Sequence, residues 1–81
     1  MYTIIMQHWT PSGWQSQTLG TYEDISTSHD ALRREVNLFL KNHPSAACRT
    51  LNPYQADIVE RFGVIDSALG EMYQFLNVTL S

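Results

Sequence analysis

Apolar positions alternate with polar ones at both ends of the chain and recur with a helical period in the middle. Residues 2–9 carry Tyr2, Ile4, Ile5 and Trp9, aromatic or β-branched side chains that suit a pleated surface. Thr10-Pro11-Ser12-Gly13 has turn chemistry: Pro11 presets φ and Gly13 can take a positive φ. Residues 14–22 then form a returning strand, whose run Gln15-Ser16-Gln17-Thr18 suits a solvated face or an edge. The pattern predicts a first hairpin with Trp9 and Trp14 flanking its turn.

The helical period is clearest over Leu32, Val36, Phe39 and Leu40, with Ala31 and Leu38 widening the stripe. Thr27 followed by Asp30 resembles a capping box, Lys41 complements the C-terminal dipole, and Pro44 disfavours helical geometry at His43. These signals predict a helix over 28–42. Beyond it, residues 47–51 suit a short strand. Residues 54–62 are ambiguous, because Tyr54, Ile58 and Phe62 fit a helical spacing. Ile58, Phe62 and Val64 equally share one face of a strand, with Val59 and Ile65 on the other. The loop Asp66-Ser67-Ala68-Leu69-Gly70 favours the strand alternative, because it leads by a hairpin turn into an alternating run over 72–80, with Met72, Leu76, Val78 and Leu80 on one face. The expected fold is α+β: an antiparallel sheet of four to five strands with one helix across one face, in the order ββαββ or ββαβββ.

Length narrows this to one domain, residues 1–81. Hydrophobic residues are 43%, enough for a core, but only 16% of residues are charged, so the surface is rich in neutral polar groups. Five Lys+Arg against eight Asp+Glu give a net charge of −3. That balance argues against an electrostatic nucleic-acid binder, and Arg33, Arg34, Arg49 and Arg61 form no basic track in the sequence. With Cys48 the lone cysteine, no internal disulfide is possible. Together with an N-terminus that lacks a secretory pattern, this predicts a cytoplasmic setting. No apolar run is long enough for a transmembrane helix. The glycosylation pattern Asn77-Val78-Thr79 has no secretory context to give it meaning.

Catalytic chemistry is weakly signalled. His8, His29 and His43 match no zinc spacing, and His43 suits a bond to terminal helix carbonyls. Cys48 and His43 could form a thiolate–imidazole pair, but Pro44 intervenes and no orienting third residue is evident, so a small buried hydrophobe is the simpler reading of Cys48. Glu23 and Asp24, like Asp57 and Glu60, are expected to be solvated charges rather than an acid–base pair. No phosphate-cradling glycine motif is present. The expectation is a non-enzymatic protein with no metal and no cofactor.

The aromatics carry the stronger signal. At 11% of the chain, they exceed what one helix on one sheet can cover. Trp9, Trp14, Tyr22 and Tyr73 are expected to stay partly exposed and to anchor a partner, with Glu23 and Asp24 at the rim. The competing readings are packing over the open sheet face, a homodimer whose exposed strands pair across a two-fold axis, and a nucleic-acid-binding module.

The stretch from His8-Trp9 through Pro11-Ser12-Gly13-Trp14 to Leu19-Gly20-Thr21-Tyr22, then Asp30-Ala31-Leu32-Arg33-Arg34 and Asn42-His43-Pro44, resembles the ββα start of very small phage-encoded proteins. Arg61-Phe62-Gly63-Val64 resembles the strand that follows in such chains. The resemblance covers about two-thirds of the chain. It is architectural and carries over no functional residue. It implies the common task of such proteins, binding and disabling a larger host protein, as anti-restriction and anti-CRISPR inhibitors do.

Overall fold

A computed structural model describes residues 1–80. Strands β1 (Tyr2–Thr10) and β2 (Gly13–Tyr22) precede the helix α1 (Ile25–Asn42), and β3 (Ala46–Leu51), β4 (Ile58–Asp66) and β5 (Glu71–Thr79) follow it. All five strands join one antiparallel sheet in the order β2-β1-β5-β4-β3. The helix lies on one face, giving an α+β fold of order ββαβββ. The ambiguity over 54–62 resolves in two parts: 54–57 form a bend and turn, and from Ile58 the chain is strand β4, an interior strand with β5 on one side and β3 on the other.

The two hairpins close where the turn chemistry places them. Gly13 has φ +104° and Gly70 has φ +66°, left-handed values that L side chains rarely adopt. The helix starts three residues earlier than the periodicity suggests. Asp24, not Thr27, is its N-cap: one carboxylate oxygen accepts from the Thr27 N–H at 2.8 Å and the other from the Thr27 hydroxyl at 2.8 Å. These bonds, led by the backbone one, hold the Asp24 carboxyl below its ordinary value. Asp30 therefore lies in the second turn rather than in the first. An Asp24→Ala change is expected to lower the melting temperature, while Asp24→Ser keeps most of it, since serine also caps well. A thermal scan of both variants checks this.

The core forms between α1 and the sheet. Ala31, Leu32 and Val36 from the helix meet Ile4, Phe62, Val64, Tyr73 and Phe75 from the strands. Phe39 and Leu40 are only partly buried at its margin, and Leu38 points to solvent instead of widening the stripe. Phe39 stacks on His43 at 3.9 Å and meets Tyr73 edge-on at 4.6 Å. Full burial of a phenylalanine makes Phe→Ala cost about 3–5 kcal/mol, so the half-buried Phe39→Ala is expected to cost about 2 kcal/mol in urea unfolding. Ile58 is buried but lies outside this cluster. A register shift between Ile58 and Glu60 sets Ile58 opposite Val78, in the register of the other sheet face.

Polar groups close both ends of the helix–sheet interface. At one end Asn77, fully buried, donates to the Ser28 hydroxyl at 2.9 Å, and Glu60 meets His29 at 2.6 Å. At the other, the Ser45 hydroxyl donates to Asp66 at 2.6 Å and the Leu69 N–H donates at 3.3 Å. The Ser45 bond is the main reason the Asp66 carboxyl sits below its ordinary value of 3.8. A carboxyl lowered by folding adds stability above its unfolded value, and that stability disappears as pH falls through the folded one. Melting temperature is therefore expected to drop on acidification below about pH 4, and Ser45→Ala, which brings the folded value closer to the unfolded one, is expected to make that drop smaller.

Candidate functional site

No helix or second sheet covers the side of the sheet away from α1, although Thr3, Ile58, Gln74 and Leu76 on it are buried, and the strand registers place its side chains in rows. The outermost row runs across the whole sheet. Trp14 pairs with Trp9, and one step beyond the His8–Tyr73 pair Trp9 comes level with Met72. Met72 pairs with Ile65, and Ile65 with Ala47. Trp9 is 49% exposed, Trp14 40%, Met72 39% and Ile65 54%, so four large apolar side chains stand in solvent in one line. The two indoles meet edge-on at 5.2 Å, an arrangement that fixes both rings.

The second row is polar. Ser16, Gln7, Gln74, Gly63 and Arg49 follow one another by the same pairings. A chain of hydrogen bonds runs along and below it. The Arg61 Nε donates to Gln74 Oε1 at 3.0 Å, Gln74 Nε2 donates to Gln7 Oε1, and Gln7 Nε2 donates to Ser16 Oγ at 3.1 Å. Arg61 also donates to the Asn52 carbonyl at 3.1 Å and lies over the Tyr54 ring at 4.8 Å. Every amide in this chain is used, so Gln7 and Gln74 are fixed in place rather than free to reorganise. Gly63 gives the row a low floor, and Leu51 leans over it: a Cβ at Gly63 would meet Leu51 Cδ1 at 2.8 Å. The resulting groove has a volume of about 610 Å³ and is lined by Trp14, Arg49, Leu51, Arg61, Ile65 and Met72 among others.

The residues picked out by sequence divide into two groups. Trp9 and Trp14 lie together on the uncovered face, as their turn-flanking positions suggest. Tyr22 does not join them. A one-residue shift between Ile4 and Ile5 leaves Leu19 as an extra residue, so Tyr22 pairs with Tyr2 at the far end of the hairpin and packs against the core on the helix side. Glu23 and Asp24 follow it there, and Asp24 is occupied in capping. Tyr73 is not an exposed aromatic: it is 9% exposed, its ring stacks on His8 at 4.4 Å, and its hydroxyl donates to Glu71. The side chains of this face that sequence reasoning does not assemble are Met72, Ile65, Arg49 and Arg61. Their alternation was visible, but only the strand order sets them beside the tryptophans.

The titratable groups are tied into local pairs and hydrogen bonds. Glu71 Oε2 accepts from Tyr73 and contacts His8 Nε2 at 2.9 Å, a closed arrangement with no nucleophile in it. Burial, then the Glu71 bond, push the Tyr73 hydroxyl up to about 12. The folded state thus holds this proton above the unfolded value of 10, so stability is expected to fall as pH rises from about 10 to 12. Tyr73→Phe should flatten that alkaline limb in a pH series of melting temperatures. His43 is held by a contact of its Nδ1 with the Phe39 carbonyl at 2.9 Å and by the Phe39 stack. Cys48 is exposed on the edge strand β3, not a buried hydrophobe. Partial desolvation raises its thiol above the ordinary 9.0, the opposite direction from an activated thiolate. Among the described residues no group of three or more His, Cys, Asp or Glu is placed to hold a metal ion, and no helix is long and apolar enough to cross a membrane.

No family model matches the chain, and comparison with curated proteins and with solved structures likewise finds no match.

Proposed function

We propose that this chain is a non-enzymatic protein-binding domain whose uncovered sheet face, centred on Trp9 and Trp14, occludes a larger protein. The observation that carries this reading is the exposed row Trp14–Trp9–Met72–Ile65 across four adjacent strands. Rigid aromatics beside a fixed polar row supply large contact area at little entropic cost, which is how interface anchors work. The absence of a reactive constellation around Cys48, His43 or Glu71 favours blocking by contact over chemistry. The architectural likeness to small phage proteins suggests the partner's class, a host protein such as a defence component, met in the cytoplasm. No cofactor enters this mechanism. The test is affinity capture from a bacterial host lysate with the wild-type chain and with Trp9→Ala/Trp14→Ala as bait. A species held by the first and lost by the folded second supports the reading; identical capture by both contradicts it.

One observation favours a second reading, a homodimer. The edge strand β2 has ten residues and none is charged, so nothing guards it against pairing with another edge. Light scattering separates the two: the occlusion reading predicts the mass of one chain, the dimer reading twice that.

A further inference from the structure

We propose that the occupant of the uncovered face is an acidic peptide segment carrying apolar anchors, and this rests on that face being the interface. The chain is acidic overall, with eight Asp+Glu against five Lys+Arg, yet its charges are segregated. The strand carboxylates Glu60, Asp66 and Glu71 all take the register of the helix-covered face, where they bind His29, Ser45, and His8 with Tyr73. The remaining carboxylates lie on the helix or in loops. Among the described residues the charged ones on the uncovered face are Arg49 and Arg61. Among the described residues no carboxylate stands within ion-pair distance of either.

These two cations are placed to be read together with the tryptophans. Side chains two residues apart on one strand face are ~7 Å apart, so Arg49 lies ~7 Å from the apolar row and Arg61 ~13 Å. Arg61 spends its Nε on Gln74 and one terminal nitrogen on Asn52, which pins the guanidinium and leaves its other terminal nitrogen without a protein bond. Arg49 is exposed and makes no side-chain hydrogen bond. A segment that seats an aromatic or aliphatic side chain on Trp9 and Met72, with carboxylates one and two rows away, satisfies both. Arginine favours this partner because its planar fork matches a carboxylate.

The same charges disfavour the other occupants. Two copies meeting face to face would oppose four arginines with no acid between them. A nucleic-acid strand needs a cation for each phosphate along its path, whereas this face offers two, on an acidic protein. The edge-on indoles also present no flat platform for successive bases.

Selection of a display library of random linear peptides on the wild-type chain tests this. Enriched peptides are expected to combine Asp or Glu with Trp, Phe, Leu or Ile, and to lose binding to Trp9→Ala. Against Arg49→Glu they should bind at least about tenfold more weakly, with affinity falling as salt rises. Arg49 is exposed and unpaired, so this variant is expected to fold; a matching melting curve verifies it. Peptides that need Trp9 but carry no acidic bias and ignore Arg49→Glu would overturn the acidic occupant while leaving the interface standing. Peptides indifferent to Trp9→Ala, or no enrichment at all, would overturn both. Tighter binding of oligothymidylate than of any selected peptide, with the same dependence on Trp9, would assign the face to single-stranded nucleic acid instead.

Discussion

Phe75→Ala is expected to remove about 3–5 kcal/mol of unfolding free energy, the largest loss from any single truncation in this chain. Phe75 sits on β5, the central strand of the sheet, and is 1% exposed. Its ring meets Phe39 edge-on at 5.5 Å, and its register partners are Met6 on β1 and Phe62 on β4. Both neighbours are strands tied by their own ladders, so the cavity cannot close by local movement, and the cost belongs at the upper part of that range. Small domains have totals of about 5–15 kcal/mol, and an 81-residue chain with a single thin core falls toward the lower end. Phe75→Ala should therefore be partly unfolded at 25 °C or have a urea midpoint far below wild type. A midpoint within experimental error of wild type would mean that the helix does not cover this strand.

Trp9→Ala and Trp14→Ala are expected to do the reverse: weaken partner binding by at least about 2 kcal/mol each, with melting temperatures close to wild type. Both indoles are 40% exposed or more, so each contributes modestly to the fold. In a complex they lose that exposure, and water leaves a face already fixed by the Arg61–Gln74–Gln7–Ser16 chain. Because the rings touch, the double variant should lose less than the summed single losses. Calorimetry of wild type and the three variants against the captured partner gives the cycle. Full affinity in all three folded variants would place the interface elsewhere, and unfolding of each would place the tryptophans in the core.

The sequence carried the architecture because each element has a local cause. Pro11 and Gly13 set the first turn, Gly70 the second, and the Leu32–Val36 spacing the helix. The helix starts earlier than its periodicity suggests because Ser26, Thr27 and Ser28 all offer capping hydroxyls, while Asp24 captures Thr27 with both oxygens and extends the helix past them. The site was half legible. Trp9 and Trp14 face each other across a short turn, and hairpin register follows from the turn alone. Tyr22 has the same parity as Trp14 and would share its face in a regular strand; the extra residue Leu19 reverses that. Tyr73 went the other way because a polar tip does not require exposure when Glu71 can accept from it. Met72, Ile65 and Arg49 could not be joined to the tryptophans from sequence, since the placement of β5 beside β1 depends on long-range pairing that no short segment encodes.

The central claim, that the sheet face opposite the helix is the one a partner covers, is tested most directly by hydroxyl-radical footprinting of the chain free and in complex with its captured partner. Tryptophan and methionine side chains report that face through Trp9, Trp14 and Met72, and Leu38 reports the outer side of the helix. Strong protection of Trp9, Trp14 and Met72 with Leu38 unchanged is the predicted result. Protection of Leu38 with the two tryptophans and Met72 as reactive as in the free chain would contradict it.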